Sequence, residues 1–103
     1  MKVTVSSRTN SLDEATPEDI RGRIYFALSR FSPHTEQVTV QIGDVGGTRG
    51  NSQQLCRLSV RMKRLGSFKI ESVEGETPDA VSRAADRAAK QVQRILDRRR
   101  DET

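Results

Sequence analysis

The chain has 103 residues, the size of one ordinary domain. Only 33% of them are hydrophobic, Trp is absent and the mean hydropathy is −0.69, so the sequence supports one modest core. Eighteen Lys and Arg against 14 Asp and Glu give a net charge of +4, which suits a polyanionic partner and also falls within the range that simple solubility explains.

No apolar run approaches the ~20 residues that span a bilayer, and residues 1–10 lack the apolar centre of a signal peptide. A single cysteine, Cys56, cannot form an internal disulfide. The expectation is a soluble cytoplasmic protein with no membrane partner.

In chain order, residues 2–6 alternate, with Val3 and Val5 on one side and Thr4 and Ser6 on the other, which predicts a short half-buried strand. Residues 7–15 are polar and turn-like. Thr16-Pro17-Glu18-Asp19 is a helix start: a candidate N-cap, a proline at the first helical position, and acids where the helix dipole is positive. Ile20, Ile24, Ala27, Leu28 and Phe31 then form a helical stripe, which Ser32-Pro33-His34 ends. Gly22 interrupts that helix at a cost of about 1 kcal/mol relative to Ala. Tyr25 and Phe26 fall off the stripe. The preferred reading is that they cover the edge of a neighbouring element; the other is that they stand exposed and stack on a base or a partner.

Residues 36–43 alternate strictly, with Val38, Val40 and Ile42 inward. Residues 44–54 are rich in Gly, Ser, Asn and Thr and read as a long mobile hairpin loop. Gly43, Gly46, Gly47 and Gly50 make no phosphate loop: no Gly-Lys-Ser/Thr follows, and the segment joins two strands. Residues 55–62 alternate again, placing Cys56, Leu58, Val60 and Met62 on one face, so Cys56 reads as a core residue and not a nucleophile. Residues 63–66 form a turn and 67–73 a last strand, with Phe68 and Ile70 inward.

A second helix is predicted from Thr77, as N-cap, through Pro78 to Arg100. Val81, Ala84, Ala85, Ala88, Val92, Ile95 and Leu96 share one face; its alanines predict a close approach to the layer beneath. Arg83, Arg87, Lys90, Arg94 and Arg98 form a row on roughly the opposite face. A row of this kind is often a solvated surface, and Asp86 and Asp97 lie beside it. Cations near a helix C-terminus are favoured by the dipole, which accounts for Arg94, Arg98, Arg99 and Arg100 but not for Arg83 and Arg87 in the first turns.

The order β-α-β-β-β-α, with one apolar face per strand, predicts an α+β two-layer sandwich: a four-stranded mixed sheet with two helices on one face, double-stranded-RNA-binding-like. Catalytic equipment is missing from the sequence. The one histidine, His34, sits beside a proline with no second ligand at metal-binding spacing, and no CxxC, HExxH or GxSxG pattern occurs. The expectation is a protein that is not an enzyme, with no cofactor, no metal and no small-molecule substrate.

Four stretches carry a more specific likeness. Val3-Thr4-Val5-Ser6-Ser7-Arg8, Thr16-Pro17 with Ile20-Arg21 and a later Arg30, the three alternating strands, and Asp79-Ala80-Val81 followed by Arg87, Lys90-Gln91-Val92 and Arg94 together resemble the ribosome hibernation-promoting factors, also called ribosome-associated inhibitors. The chain departs from that family in Pro78 at the start of the last helix, in the small Ala84, Ala85 and Ala88, and in its Gly-rich loop. The resemblance implies a single ribosome-binding domain over residues 1–103, a short member that binds the small ribosomal subunit through ribosomal RNA. It would hold ribosomes idle, inhibiting translation under stress or in stationary phase, and would be monomeric off the ribosome. It also implies RNA-phosphate contacts by Arg8, Arg21, Arg30, Arg87, Lys90 and Arg94, to which the helical stripe adds Arg83 and Arg98. A general structured-RNA-binding module and a protein-interaction module using the helix faces are the alternatives.

Overall fold

The computed structural model describes residues 1–7, 16–45 and 53–101. Strand β1 is Lys2–Ser7, helix α1 is Pro17–Leu28, and a 3₁₀ segment, Ser29–His34, leads into β2, Thr35–Val45. Strands β3, Gln53–Met62, and β4, Gly66–Glu74, follow, and helix α2, Thr77–Asp101, ends the described chain.

The sheet order is β1-β2-β3-β4. β1 runs parallel to β2, with Val3 opposite Val38 and Val5 opposite Val40; the other two pairs are antiparallel. A helix returns the chain between the parallel strands, while tight connections suffice for the antiparallel ones. Because side chains alternate along each strand, Val3, Val38, Val40, Ile42, Cys56, Leu58, Val60 and Met62 all face one side and join a single core with both helices. This is the mixed two-layer α+β sandwich that the sequence predicts.

Helix α1 starts as its sequence dictates. The Asp19 amide donates to Thr16 Oγ1 at 3.1 Å and the Thr16 amide donates to the Asp19 carboxylate at 3.4 Å, a reciprocal capping box. The helix stops at Leu28, earlier than the apolar stripe suggests, because Pro33 allows only a tightened turn; Phe31 is still buried from within that turn. Gly22 lies on the exposed side of α1, and a Cβ there would meet nothing within 4 Å. Gly22→Ala is therefore expected to stabilise the fold by about 0.5–1 kcal/mol, read as a rise of a few degrees in Tm.

Helix α2 begins slightly before the expected cap. The Ala80 amide already donates to the Glu76 carbonyl, and the Thr77 hydroxyl donates to Gln54 Oε1 at 3.3 Å, pinning the start of α2 to β3. Thr77 therefore ties helix to sheet rather than capping. Ala80, Ala84, Ala85 and Ala88 are fully buried, and their small side chains let α2 lie close on β3 and β4. The β2–β3 loop is shorter than the composition suggests, since both strands run into it as far as Val45 and Gln53. Its remainder, residues 46–52, lies outside the described residues. In β4, Phe68 and Ile70 are only half-buried, as edge-strand residues facing the core margin.

Cys56 is fully buried, and burial pushes its thiol up to about 12, because a thiolate there would have no water around it. At pH 8 alkylation is expected to require opening of the fold. Its rate in the native chain should be lower by a factor on the order of 10³ or more than in denaturant, measured by mass spectrometry. Comparable rates in both states would mean that β3 is not a core strand.

Candidate nucleic-acid interface

The two helices lie side by side and run in the same direction. Arg23 of α1 donates to Ser82 of α2 at 3.0 Å and lies 3.8 Å from Asp86. Further along, Phe26, Ala27, Ser29 and Arg30 face Asp86, Ala89 and Lys90 across an open cleft of about 400 Å³. The cations named from the sequence are distributed around this helix layer in two groups.

Arg30 and Lys90 line the cleft itself. The Arg30 guanidinium lies 4.7 Å from the centroid of the Phe31 ring, which fixes its plane while leaving its donors in solvent. Lys90 has no partner among the described residues. Arg94 and Arg98 continue outward along α2, both exposed. Arg94 donates to the neutral Gln91 side chain at 3.4 Å, and among the described residues no acid pairs with it.

A second group guards the sheet edges. Arg21 Nε donates to the Val3 carbonyl at 3.3 Å, and one turn later the Tyr25 hydroxyl donates to the Met1 carbonyl at 2.8 Å. On the opposite side Arg87 donates to the Glu71 carbonyl of β4 at 2.7 Å, and Arg83 lies 3.5 Å from the Glu74 carboxylate. Strand edges carry unpaired backbone groups that invite pairing with other chains, and cationic side chains laid over them block it. Arg21, Arg83 and Arg87 are partly committed to this packing. Arg8 falls outside the described residues.

The acids beside the α2 row do not cancel it. Asp86 faces Arg23, and Asp97 accepts from Gln93 and from Arg100, each at 2.9 Å. The open face of the sheet differs. There Arg57 pairs with Glu71 at 3.4 Å, and Arg61 lies 3.3 Å from Glu36 while donating to Gln37. Among the described residues the arginines of the open face, Arg57 and Arg61, are matched by acids, and Lys90, Arg94 and Arg98 on the helix layer are not.

Two residues change standing in three dimensions. Arg23, absent from the sequence-derived set, lies in the middle of the cleft; its seven-residue spacing to Arg30 on the α1 side was the available signal. Tyr25 covers the β1 edge as the preferred sequence reading has it, but Phe26 is 78% exposed, and Arg23 lies 5.9 Å from its ring centroid. His34 is exposed beside Asp97 and Arg99 at the far end of α2. Among the described residues no His, Cys, Asp and Glu cluster could hold a metal, and no helix is long and apolar enough to cross a membrane.

A mixed four-stranded sheet with both helices on one face, and with its unmatched cations on that helix layer, has the fold of the ribosome-interface proteins. The chain is similar to the N-terminal domain of Protein Y from Thermus thermophilus, with a TM-score of 0.63 and 22% identity over 91% of this chain and 94% of that one. It is also similar to a ribosomal subunit interface protein from Coxiella burnetii, with a TM-score of 0.69 and 8% identity over 93% of this chain and 98% of that one. These neighbours accord with the family that the sequence resembles, the ribosome hibernation factors. At these identities the likeness is one of fold. No protein-family model matches the chain, and no curated protein does.

Proposed function

We propose that residues 1–103 form one ribosome-binding domain that attaches to the small ribosomal subunit through ribosomal RNA and inhibits translation by holding ribosomes idle under stress or in stationary phase. The observation that carries this reading is the row Lys90, Arg94 and Arg98, exposed and unmatched by acid, on the helix layer of a fold shared with ribosome-interface proteins. An inhibitor that blocks a site needs affinity and shape and no reactive group. Phosphate contacts supply affinity without sequence selectivity, and the rigid two-layer body would supply the shape. Arg30 across the cleft extends the row, and Arg21, Arg83 and Arg87 flank it while holding the sheet edges. Arg8 completes the set that the resemblance implies. The site of action is the cytoplasm, and the protein is monomeric off the ribosome.

Co-sedimentation with ribosomes on sucrose gradients at two salt concentrations tests the reading. Near-stoichiometric association with the small subunit is expected at low salt, with a log–log salt slope of roughly −4 for about five phosphate contacts. Absence of association at low salt would refute it. Equally tight binding to naked structured RNA would instead point to a general RNA-binding module. Salt-insensitive binding would point to a protein partner.

A further inference from the structure

Phe26 is the most exposed large apolar side chain of the described residues, and it stands on the wall of the cleft between the two helices. Its surroundings are not those of a protein-docking patch. The same cleft is lined by Arg23, Arg30 and Lys90, against one acid, Asp86, which faces Arg23. An exposed aromatic ring with cations one side chain away presents two complementary surfaces: an apolar face for a planar ring and positive charge for an anion. About 400 Å³ of open space beside them is at the small end of ligand-pocket volumes and suits one nucleotide.

We propose that the α1–α2 cleft takes a single unpaired nucleotide of an RNA strand, with its base stacked on Phe26 and its phosphate held by Arg30 and Lys90. This rests on the RNA-binding reading and adds a preference to it. Phosphate contacts alone are indifferent to strand state, whereas a base inside a duplex already has both faces covered and cannot reach a protein ring. The cleft therefore makes the helix layer selective for unpaired or flipped-out positions. Phe31 holds the Arg30 guanidinium by its ring face, so the charge is placed before the strand arrives. Phe26 itself packs little against the protein and can be replaced without touching the core.

The chain has no tryptophan, so Phe26→Trp creates a sole tryptophan at the site, whose indole can be excited at wavelengths where Tyr25 does not absorb. The ligands are single-stranded octamers of adenylate and uridylate, a 12-base-pair RNA duplex and inorganic polyphosphate, which has the charge and no base. Binding is followed by fluorescence anisotropy of labelled oligomers and by competition for polyphosphate. In the Phe26→Trp variant, both octamers are expected to quench the indole emission, adenylate more strongly, and polyphosphate and the duplex to leave it unchanged at equal occupancy. Phe26→Ala is expected to weaken octamer binding roughly 10-fold and to leave polyphosphate binding unchanged, since stacking on an aromatic is worth on the order of 5- to 100-fold per base. Octamer binding within twofold of the parent in Phe26→Ala, saturation without quenching, or no octamer binding at low salt would each overturn the proposal. Ribosome co-sedimentation of the parent chain separates the two claims. If the parent sediments with ribosomes while Phe26→Ala binds octamers normally, stacking fails and the ribosome reading stands. If the parent does not sediment, yet octamers quench the Phe26→Trp variant, the reverse holds.

Discussion

Reversing Lys90 and Arg94 to glutamate is expected to abolish ribosome association while leaving the fold intact. Both side chains are exposed on α2, neither reaches the sheet, and glutamate is as good a helix former as either. The size of the effect follows from counterion release. Each lost phosphate contact removes about 0.9 from the salt slope, so losing two at 0.1 M salt lowers the binding constant roughly 60-fold. Repulsion between the new carboxylates and the phosphates takes the loss to on the order of 100-fold or more. The salt slope should fall from roughly −4 toward −2, and the thermal midpoint should move by no more than a few degrees. Arg87 is a poorer choice for this test, because its bond to the Glu71 carbonyl also holds the β4 edge. Lys69→Glu, on the open face of the sheet, serves as the control and should leave association within a few-fold. Full association in the double variant, or its loss in Lys69→Glu, would move the interface off the helix layer.

Leu58→Ala is expected to produce the largest loss of stability in the chain, about 2–5 kcal/mol. Leu58 is fully buried in β3, an interior strand of the sheet, beneath the helix layer. Truncation removes transfer free energy and leaves a cavity that strands paired on both sides cannot close. Domains of this size are stable by about 5–15 kcal/mol in total, so the loss is a large fraction of it. The denaturation midpoint in urea should fall with little change in the slope m, and Tm should fall by roughly 10–30 °C. A loss below about 1 kcal/mol would mean that the core closes around the missing side chain. This variant also separates stability from function, since the cation row lies on the far side of α2 and binding at low temperature should survive in the folded fraction.

The open face of the sheet and the helix layer both carry basic residues, yet they are not equivalent. Arg57 and Arg61 sit across strands from Glu71 and Glu36, and ion pairs of this exposed kind add little stability but do reduce the local field. On α2 the acids are turned toward Arg23 and Arg100 instead. That difference between the arginines of the two faces, and not the net charge of +4, is the reason the helix layer is proposed as the face for an anionic partner, although Lys2 and Lys69 of the open face also lack an acid among the described residues.

Much of this was legible in one dimension. Strict alternation in residues 36–43 and 55–62 fixed which side chains enter the core, because a strand has only two faces. Thr16-Pro17-Glu18-Asp19 fixed the start of α1, because a capping box is local chemistry closed within four residues. The three- and four-residue spacing of α2 placed its alanines inward and its cations outward, because a helix repeats its direction every turn. The β-α-β-β-β-α order, together with one apolar face per strand, then left one economical packing of two helices on one side of the sheet. What the sequence could not carry was any relation between residues distant in the chain. That Arg21 and Arg87 reach opposite edges of the sheet, that Asp86 faces Arg23 from another helix, and that Phe26 shares a cleft with Lys90 depend on how α1 sits against α2 and β1. Helical periodicity gives the angle of a side chain about its own axis and says nothing of what lies opposite. That is decided when the buried alanines of α2 and the Ile20–Ile24–Leu28 stripe of α1 settle together on the sheet.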